Sequence, residues 1–261
     1  MKNILIFFFA LVSIQAFGCE CIPAPLLYYY QKSDFVAAVK VVEITLDREH
    51  HSSEGDYHYL NIEIVQLYKG KEVPFIRVNT ASETSCAFEV PKGSTWLVFA
   101  SMGDNDIPVF GSCSGSEPTE PYYDMVKYPK AANNYKNRID LKLAVLSFLK
   151  NNELEDSNPY NLNINDIGLH DTTLFREFDN QNRFAVYELD INEDLSIGKI
   201  TARQAFDNPK LAQLFTEYLR KNARVNNTRL KGIPTKSRLI VIYYYYPAEG
   251  KDPSFISDFD L

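Results

Sequence analysis

The chain has 261 residues, enough for two modest hydrophobic cores, so two domains is the expected organisation, with one domain carrying long excursions as the alternative. A formal net charge of -7 with no long basic run argues against nucleic acid or another polyanion as partner. The 17 Tyr and 17 Phe, against one Trp, point to sheet-rich structure, where such rings pack on a pleated face.

Residues 1–18 read as a targeting segment. Lys2 supplies a positive start, Ile4 to Ile14 an apolar run, and Ala16-Phe17-Gly18 small residues flanking a cut before Cys19. That run is too short for a comfortable bilayer crossing, and no later stretch reaches the standard, so the mature chain has no expected transmembrane segment. Two fates stay open for the new terminus: secretion or release to the periplasm, and a lipoprotein-type anchor on Cys19. The cysteines are Cys19, Cys21, Cys86 and Cys113, an even set suited to two bridges in an oxidising compartment. Lipidation of Cys19 would strand one of them, which favours secretion.

After Cys19-Glu20-Cys21, Ile22-Pro23-Ala24-Pro25 is stiff and extended, and Leu26 to Tyr30 is a short apolar segment. Phe35 to Ile44 reads as a strand, Asp47 to Asp56 as a polar loop, and Tyr57 to Tyr68 as an alternating strand that turns Ile62 and Ile64 inward and Asn61 and Glu63 outward. Lys69-Gly70-Lys71 ends it. Further strands are expected at Phe75 to Val78, Ser94 to Ala100 and Ile107 to Phe110, where Pro108 implies a late start or an edge position. Five strands separated by turns fit a closed or nearly closed barrel, because closure removes exposed edges.

Cys19-Glu20-Cys21, the nearby Pro23, the Phe35 to Ile44 strand, the Leu67-Tyr68-Lys69-Gly70 strand ending, Cys86 and Cys113 together resemble the N-terminal inhibitory domain of tissue inhibitors of metalloproteinases and the wider netrin-like domains. The resemblance spans about residues 19–117. It implies an oligonucleotide/oligosaccharide-binding (OB) type barrel, with Cys19 bridged to Cys86 and Cys21 to Cys113. It also implies inhibition through the first mature residue: the amino nitrogen and carbonyl oxygen of Cys19 would chelate a target's catalytic zinc, and Glu20 would enter its specificity pocket. The chain departs from the pattern there, since that position is usually compact and an unpaired carboxylate is costly in an apolar pocket. The cysteines for a third bridge are also absent.

Ser114 to Pro121, rich in Gly and Pro, reads as a domain exit. Tyr135, Ile139, Leu143, Leu146 and Lys150 share one face of a helix over about 131–150, and Leu141, Val145 and Phe148 widen its apolar coverage toward more than one surface. The polar stretch Asn151 to Asn182 is expected to cross between domains, with a brief docking strand at Leu162 to Ile164. Phe184 to Ile191 and Ser196 to Ala202 read as a hairpin. A helix capped by Asn208, with Pro209 at its first position and Leu211, Leu214, Tyr218 and Leu219 buried, follows. Arg238 to Tyr246 is a final strand, in which Tyr243 to Tyr246 should place two rings in the core and two in solvent; 251–261 is left as a tail. Strand, strand, helix, strand is a small α+β unit. Its order, with Gly232-Ile233-Pro234-Thr235 before the last strand, is similar to the C-terminal domain of TonB-type periplasmic proteins over about 183–247, which implies a bacterial envelope setting and docking.

The expected fold class is therefore β plus α+β: a five-stranded OB-like barrel at 19–117, a helical linker at 118–182 and a small α+β domain at 183–250. His50, His58 and Asp56 are the one constellation that could hold a surface metal, although adjacent side chains such as His50 and His51 commonly point apart. Neither metal nor cofactor is expected. No phosphate loop, dinucleotide fingerprint, serine elbow or zinc-protease helix motif occurs, and the Cys-x-Cys spacing is not the redox motif. The expectation is a non-enzymatic exported protein with a protein partner.

Overall fold

The computed structural model describes residues 20–52, 55–82, 84–121, 123–154, 158–166, 168–169, 173–226 and 231–260. The targeting segment and Cys19 lie outside them. Helix α1 (Leu26–Lys32) precedes strands β1 (Phe35–Ser52), β2 (Gly55–Lys69), β3 (Phe75–Asn79), β4 (Thr95–Met102), β5 (Pro108–Phe110) and β6 (Glu117–Pro118). Then come α2 (Pro129–Asn151), β7 (Asn163–Asp166), β8 (Phe184–Ile191), β9 (Ile197–Gln204), α3 (Pro209–Asn222), β10 (Ala223–Asn226), β11 (Ser237–Tyr246) and β12 (Phe255–Ser257).

The first five strands run in the order β1-β2-β3-β5-β4, and β1 closes on β4 from Phe35↔Ala100 to Lys40↔Thr95. The β3–β5 pair is parallel and the other pairs are antiparallel, giving a mixed, OB-like closed barrel. Register shifts along the β1–β2 ladder bend this long hairpin enough for β1 to serve both neighbours. Phe35, Ala37, Val39, Leu60, Ile62, Trp96 and Val98 point inward, whereas Asn61 and Glu63 are exposed, in the parity the alternation predicts. The polar interval Asp47 to Asp56 is not a loop: β1 continues to Ser52 and β2 resumes at Gly55, because polar residues on a projecting two-stranded arm can still complete a ladder. Asp47 is buried there, 3.6 Å from Arg77. Leu26 to Lys32 is helical, and Gly70, at φ +89°, leaves β2 where a Cβ would stand 2.6 Å from the Asp34 carbonyl oxygen.

The C-terminal sheet runs β12-β11-β8-β9, all antiparallel. One face packs on α3, with Tyr187, Phe215, Tyr243 and Tyr245 among the buried rings. Asn208 caps that helix, its side chain accepting from the Lys210 and Leu211 amides. The other face does not meet solvent. Phe184, Val186, Ile240, Ile242 and Tyr244 form one core with Leu141, Val145, Leu146 and Leu149 of α2 and with Val36, Ala38, Leu97 and Phe99 on the outside of the barrel. Tyr243, Tyr244 and Tyr245 are therefore all buried and Tyr246 half-buried, against the expectation of two exposed rings. Within 118–182, α2 is a core layer between barrel and sheet.

The tail expectation for 251–261 is also corrected. β12 pairs with Tyr244 to Tyr246 and buries Ile256. Asp260 lies 3.0 Å from Lys142, which lies 2.6 Å from Glu117, itself held by Arg138 at 2.6 Å. This chain of charges fastens the last described residues to α2 and β6.

Candidate functional site

Two surfaces merit attention. The first is the amino-terminal ridge that the cysteine pattern singles out. Cys21 is joined to Cys113 with a Cα–Cα distance of 5.3 Å, across 92 positions of sequence. The partner strand of this anchor is itself well held: the Ser116 hydroxyl donates to the Phe99 carbonyl and accepts from the Phe99 amide at 2.8 Å, and Gly115, at φ +81°, lets the backbone pass against the Tyr29 ring. The segment from Glu20 to Pro25 is thus bracketed by a bridge at one end and α1 at the other. Glu20 is exposed, as is Ile22, at 87% of its full accessibility. Cys86 is disulfide-bonded in the loop after β3, where its amide donates to Thr84 Oγ1 at 3.0 Å. The Cys19 end of the expected Cys19–Cys86 bridge, and any acyl anchor on Cys19, fall outside the described residues.

The histidine constellation is not assembled. The His50 side chain lies outside the described residues, and His58 is half-buried on β2 with its Nδ1 unpaired. Among the described residues no group of three metal-ligating side chains converges.

The second surface is a groove that sequence patterning does not reveal. β11 pairs with β8 from Ser237 to Tyr244, but on its other edge β12 covers only Tyr244 to Tyr246. Its backbone polarity is fixed by the Tyr245 amide, which donates to the Arg183 carbonyl on the β8 side at 2.8 Å. Hydrogen-bonding direction alternates along an antiparallel strand, so the N–H and C=O groups of Ile240 and Ile242 point to the uncovered edge. No described residue pairs with them there. Facing this edge are Leu27, Tyr28 and Gln31 of α1 on one side, and Asn163 and Ile164 of β7 on the other. They enclose a recess of about 200 Å³ that continues past Ile240 into one of about 520 Å³ beside Lys32 and Lys69. An inner strand of a layered structure thus presents four consecutive edge groups to an accessible, largely apolar slot.

The sequence did carry one usable signal. Leu239 to Tyr246 is apolar at every position, which marks a strand covered on both faces. What it could not show is that the covering layers leave a gap beside the strand's edge.

No family model matches the chain, and no curated protein gives a significant match. Among the described residues, no helix is long and apolar enough to cross a membrane.

Proposed function

We propose that this is an exported, non-enzymatic binding protein that takes an extended segment of a partner protein along the free edge of β11. The observation that carries this reading is the orientation of the Ile240 and Ile242 backbone groups into the recess between α1 and β7. A guest strand would replace water on these groups with ladder hydrogen bonds and place alternate side chains toward α1 and toward β7, the general logic of strand addition. The Cys21–Cys113 bridge agrees with an oxidising compartment. The resemblance of 183–247 to TonB-type modules, which implies docking in a bacterial envelope, agrees with it as well. Peptides selected from a displayed library against the mature protein should slow hydrogen exchange at the Ile240 and Ile242 amides above all others. Tight binding that leaves both amides unprotected would remove the groove from the function.

A second reading rests on the ridge. The Cys21–Cys113 bridge holds the chain two residues from Cys19 and leaves Glu20 outward, as a metalloproteinase inhibitor chelating zinc through the Cys19 amine and carbonyl would require. The exposed carboxylate of Glu20 directs that reading to enzymes with a basic or hydrated specificity pocket. Acetylating the α-amine of the mature protein should abolish inhibition of a panel of zinc proteases; inhibition that survives acetylation excludes the chelate.

A further inference from the structure

Beyond the C-terminal end of β11 lies a cleft of about 740 Å³ that shares no described lining residue with the edge groove. One wall is the first half of α2, and the other is the connection from Pro247 to Pro253 between β11 and β12. Glu249 and Asp252 exchange backbone hydrogen bonds at 3.0 Å, and a proline stands on either side of them, so this turn keeps its shape. Lys130, in the first turn of α2, reaches Glu249 at 2.8 Å and ties the two walls together. Aromatic rings complete the cleft: Phe255 stacks on Tyr246 with centroids 4.8 Å apart, and the Arg183 guanidinium carbon lies 5.7 Å from the Tyr246 ring.

The fold engages some of the polar groups lining this cleft and leaves others over. Arg138 is held by Glu117 at 2.6 Å, and the Tyr123 and Tyr135 hydroxyls donate to the carbonyls of Ala131 and Pro118. By contrast, neither the Asn134 nor the Asn137 amide forms a side-chain hydrogen bond among the described residues. These two stand three positions apart on α2 and therefore on one face. Arg183 uses only Nε, on the Tyr245 carbonyl at 3.0 Å, and its two terminal nitrogens bond to no described residue. The Asp252 carboxylate accepts no hydrogen bond and lies outside ion-pair distance of every described cation.

This set of groups selects a ligand chemistry. The lining holds two guanidinium groups, Arg138 and Arg183, and two carboxylates, Glu249 and Asp252, so it favours neither a polyanion nor a cationic chain. A hydroxyl both donates and accepts, and a row of hydroxyls therefore satisfies a carboxylate, a guanidinium and two amides together. Phe255, 41% exposed, adds apolar ring surface of the kind that packs on the C–H face of a sugar. The geometry points to this cleft as a binding site for an uncharged oligosaccharide. Asn134 and Asn137 read its hydroxyls from α2, Arg183 and Asp252 engage neighbouring hydroxyls, and a pyranose ring rests against Phe255.

The test applies the mature protein to an array of uncharged oligosaccharides built from glucose, mannose, galactose and N-acetylglucosamine. A heparin hexasaccharide and a zwitterionic dipeptide serve as charged controls, and the best array ligand is then titrated calorimetrically. Its affinity should not change between low and high salt. Asn134→Ala combined with Asn137→Ala should weaken it about tenfold, the loss of two ordinary hydrogen bonds. Both positions are exposed on a helix that alanine favours, so the double variant is expected to fold, and retained Trp96 emission checks it. Asp252→Ala, in an exposed turn, is a second removal with the same expected direction. Asn133→Ala, exposed on the same helix but outside the lining, should leave the affinity unchanged. No saturable binding of any uncharged glycan, or binding that both removals leave intact, overturns the assignment. Tighter binding of heparin, lost as salt rises, would make Arg183 the centre of an anion site and overturn it too. Tighter binding of the dipeptide would do the same by giving Arg183 and Asp252 to its charged termini. Protection of the Ile240 and Ile242 amides by peptides tests the strand edge separately and is unaffected by any of these results.

Discussion

Tyr244 shows what burial between layers does to a single side chain. Its ring is almost wholly enclosed, and desolvation, reinforced by the negative charge of Asp260 and by Tyr246, drives its hydroxyl well above the ordinary phenol value of 10.0. The neutral form is thus favoured more in the folded chain than in the unfolded one. It follows that the contribution of Tyr244 to stability is complete below pH 10 and declines as pH rises above that value toward the folded-state one, because the unfolded chain releases the proton first. Burial raises Tyr68 and Tyr187 in the same direction, so the alkaline limb is shared among three phenols. The urea midpoint should fall steeply above about pH 10, and Tyr244→Phe should make that fall shallower without altering the trend at neutral pH. An unchanged alkaline limb in the variant would show that the hydroxyl stays solvated through the sheet edge.

At the scale of elements, what the sequence disclosed depended on whether one layer or two decided the outcome. The α3 boundary was readable because a cap is local: Asn208 accepts from two amides within the next three residues, and Pro209 needs no donor at the first helical position. The β8 strand and the barrel strands were likewise readable from period and turn residues, which depend on a single inner face. Tyr243 to Tyr246 were not, since alternation reports that neighbouring rings face opposite ways and leaves open whether each way ends in solvent or in another layer. The β1–β2 arm departs from the loop that its polarity suggests for a related reason. Its polar residues satisfy a ladder through backbone groups, which carry no side-chain signature. The ridge lay close to legible, through four cysteines and their spacing. The groove did not, because an edge is defined by what fails to pair with it: the register of β12, set by Ile256 in the core and by Asp260 on Lys142, stops short of Ile242.

The whole molecule is governed by the core that barrel, α2 and C-terminal sheet share. Leu146 has no exposed surface and lies within it, away from the barrel interior that contains Trp96. Truncation to alanine removes three methylene-sized groups from a site bounded on both sides by regular structure, which limits collapse and places the cost of Leu146→Ala at about 2–5 kcal/mol. Where that cost is felt distinguishes a coupled assembly from two tethered domains. Trp96 is the chain's single tryptophan and is enclosed by the barrel, so its fluorescence follows barrel unfolding alone. Tyr187, Tyr218, Tyr243 and Tyr245 are buried around α3, so the near-ultraviolet tyrosine signal is expected to follow mainly that unit. If the shared core makes the molecule one cooperative unit, Leu146→Ala should lower both midpoints equally and leave the two transitions superimposed. If the barrel stands alone, the tyrosine transition should move while Trp96 unfolds at its original denaturant concentration. Coupling is the expected outcome, because a C-terminal unit released from α2 would bare Phe184, Val186, Ile240, Ile242 and Tyr244 together, a contiguous apolar face that water penalises strongly. The walls beside the free edge of β11 are anchored in two different cores, α1 through Leu26 in the shared one and β7 through Ile164 in the one around α3, so a guest strand of the proposed kind would meet a slot whose walls are already in place.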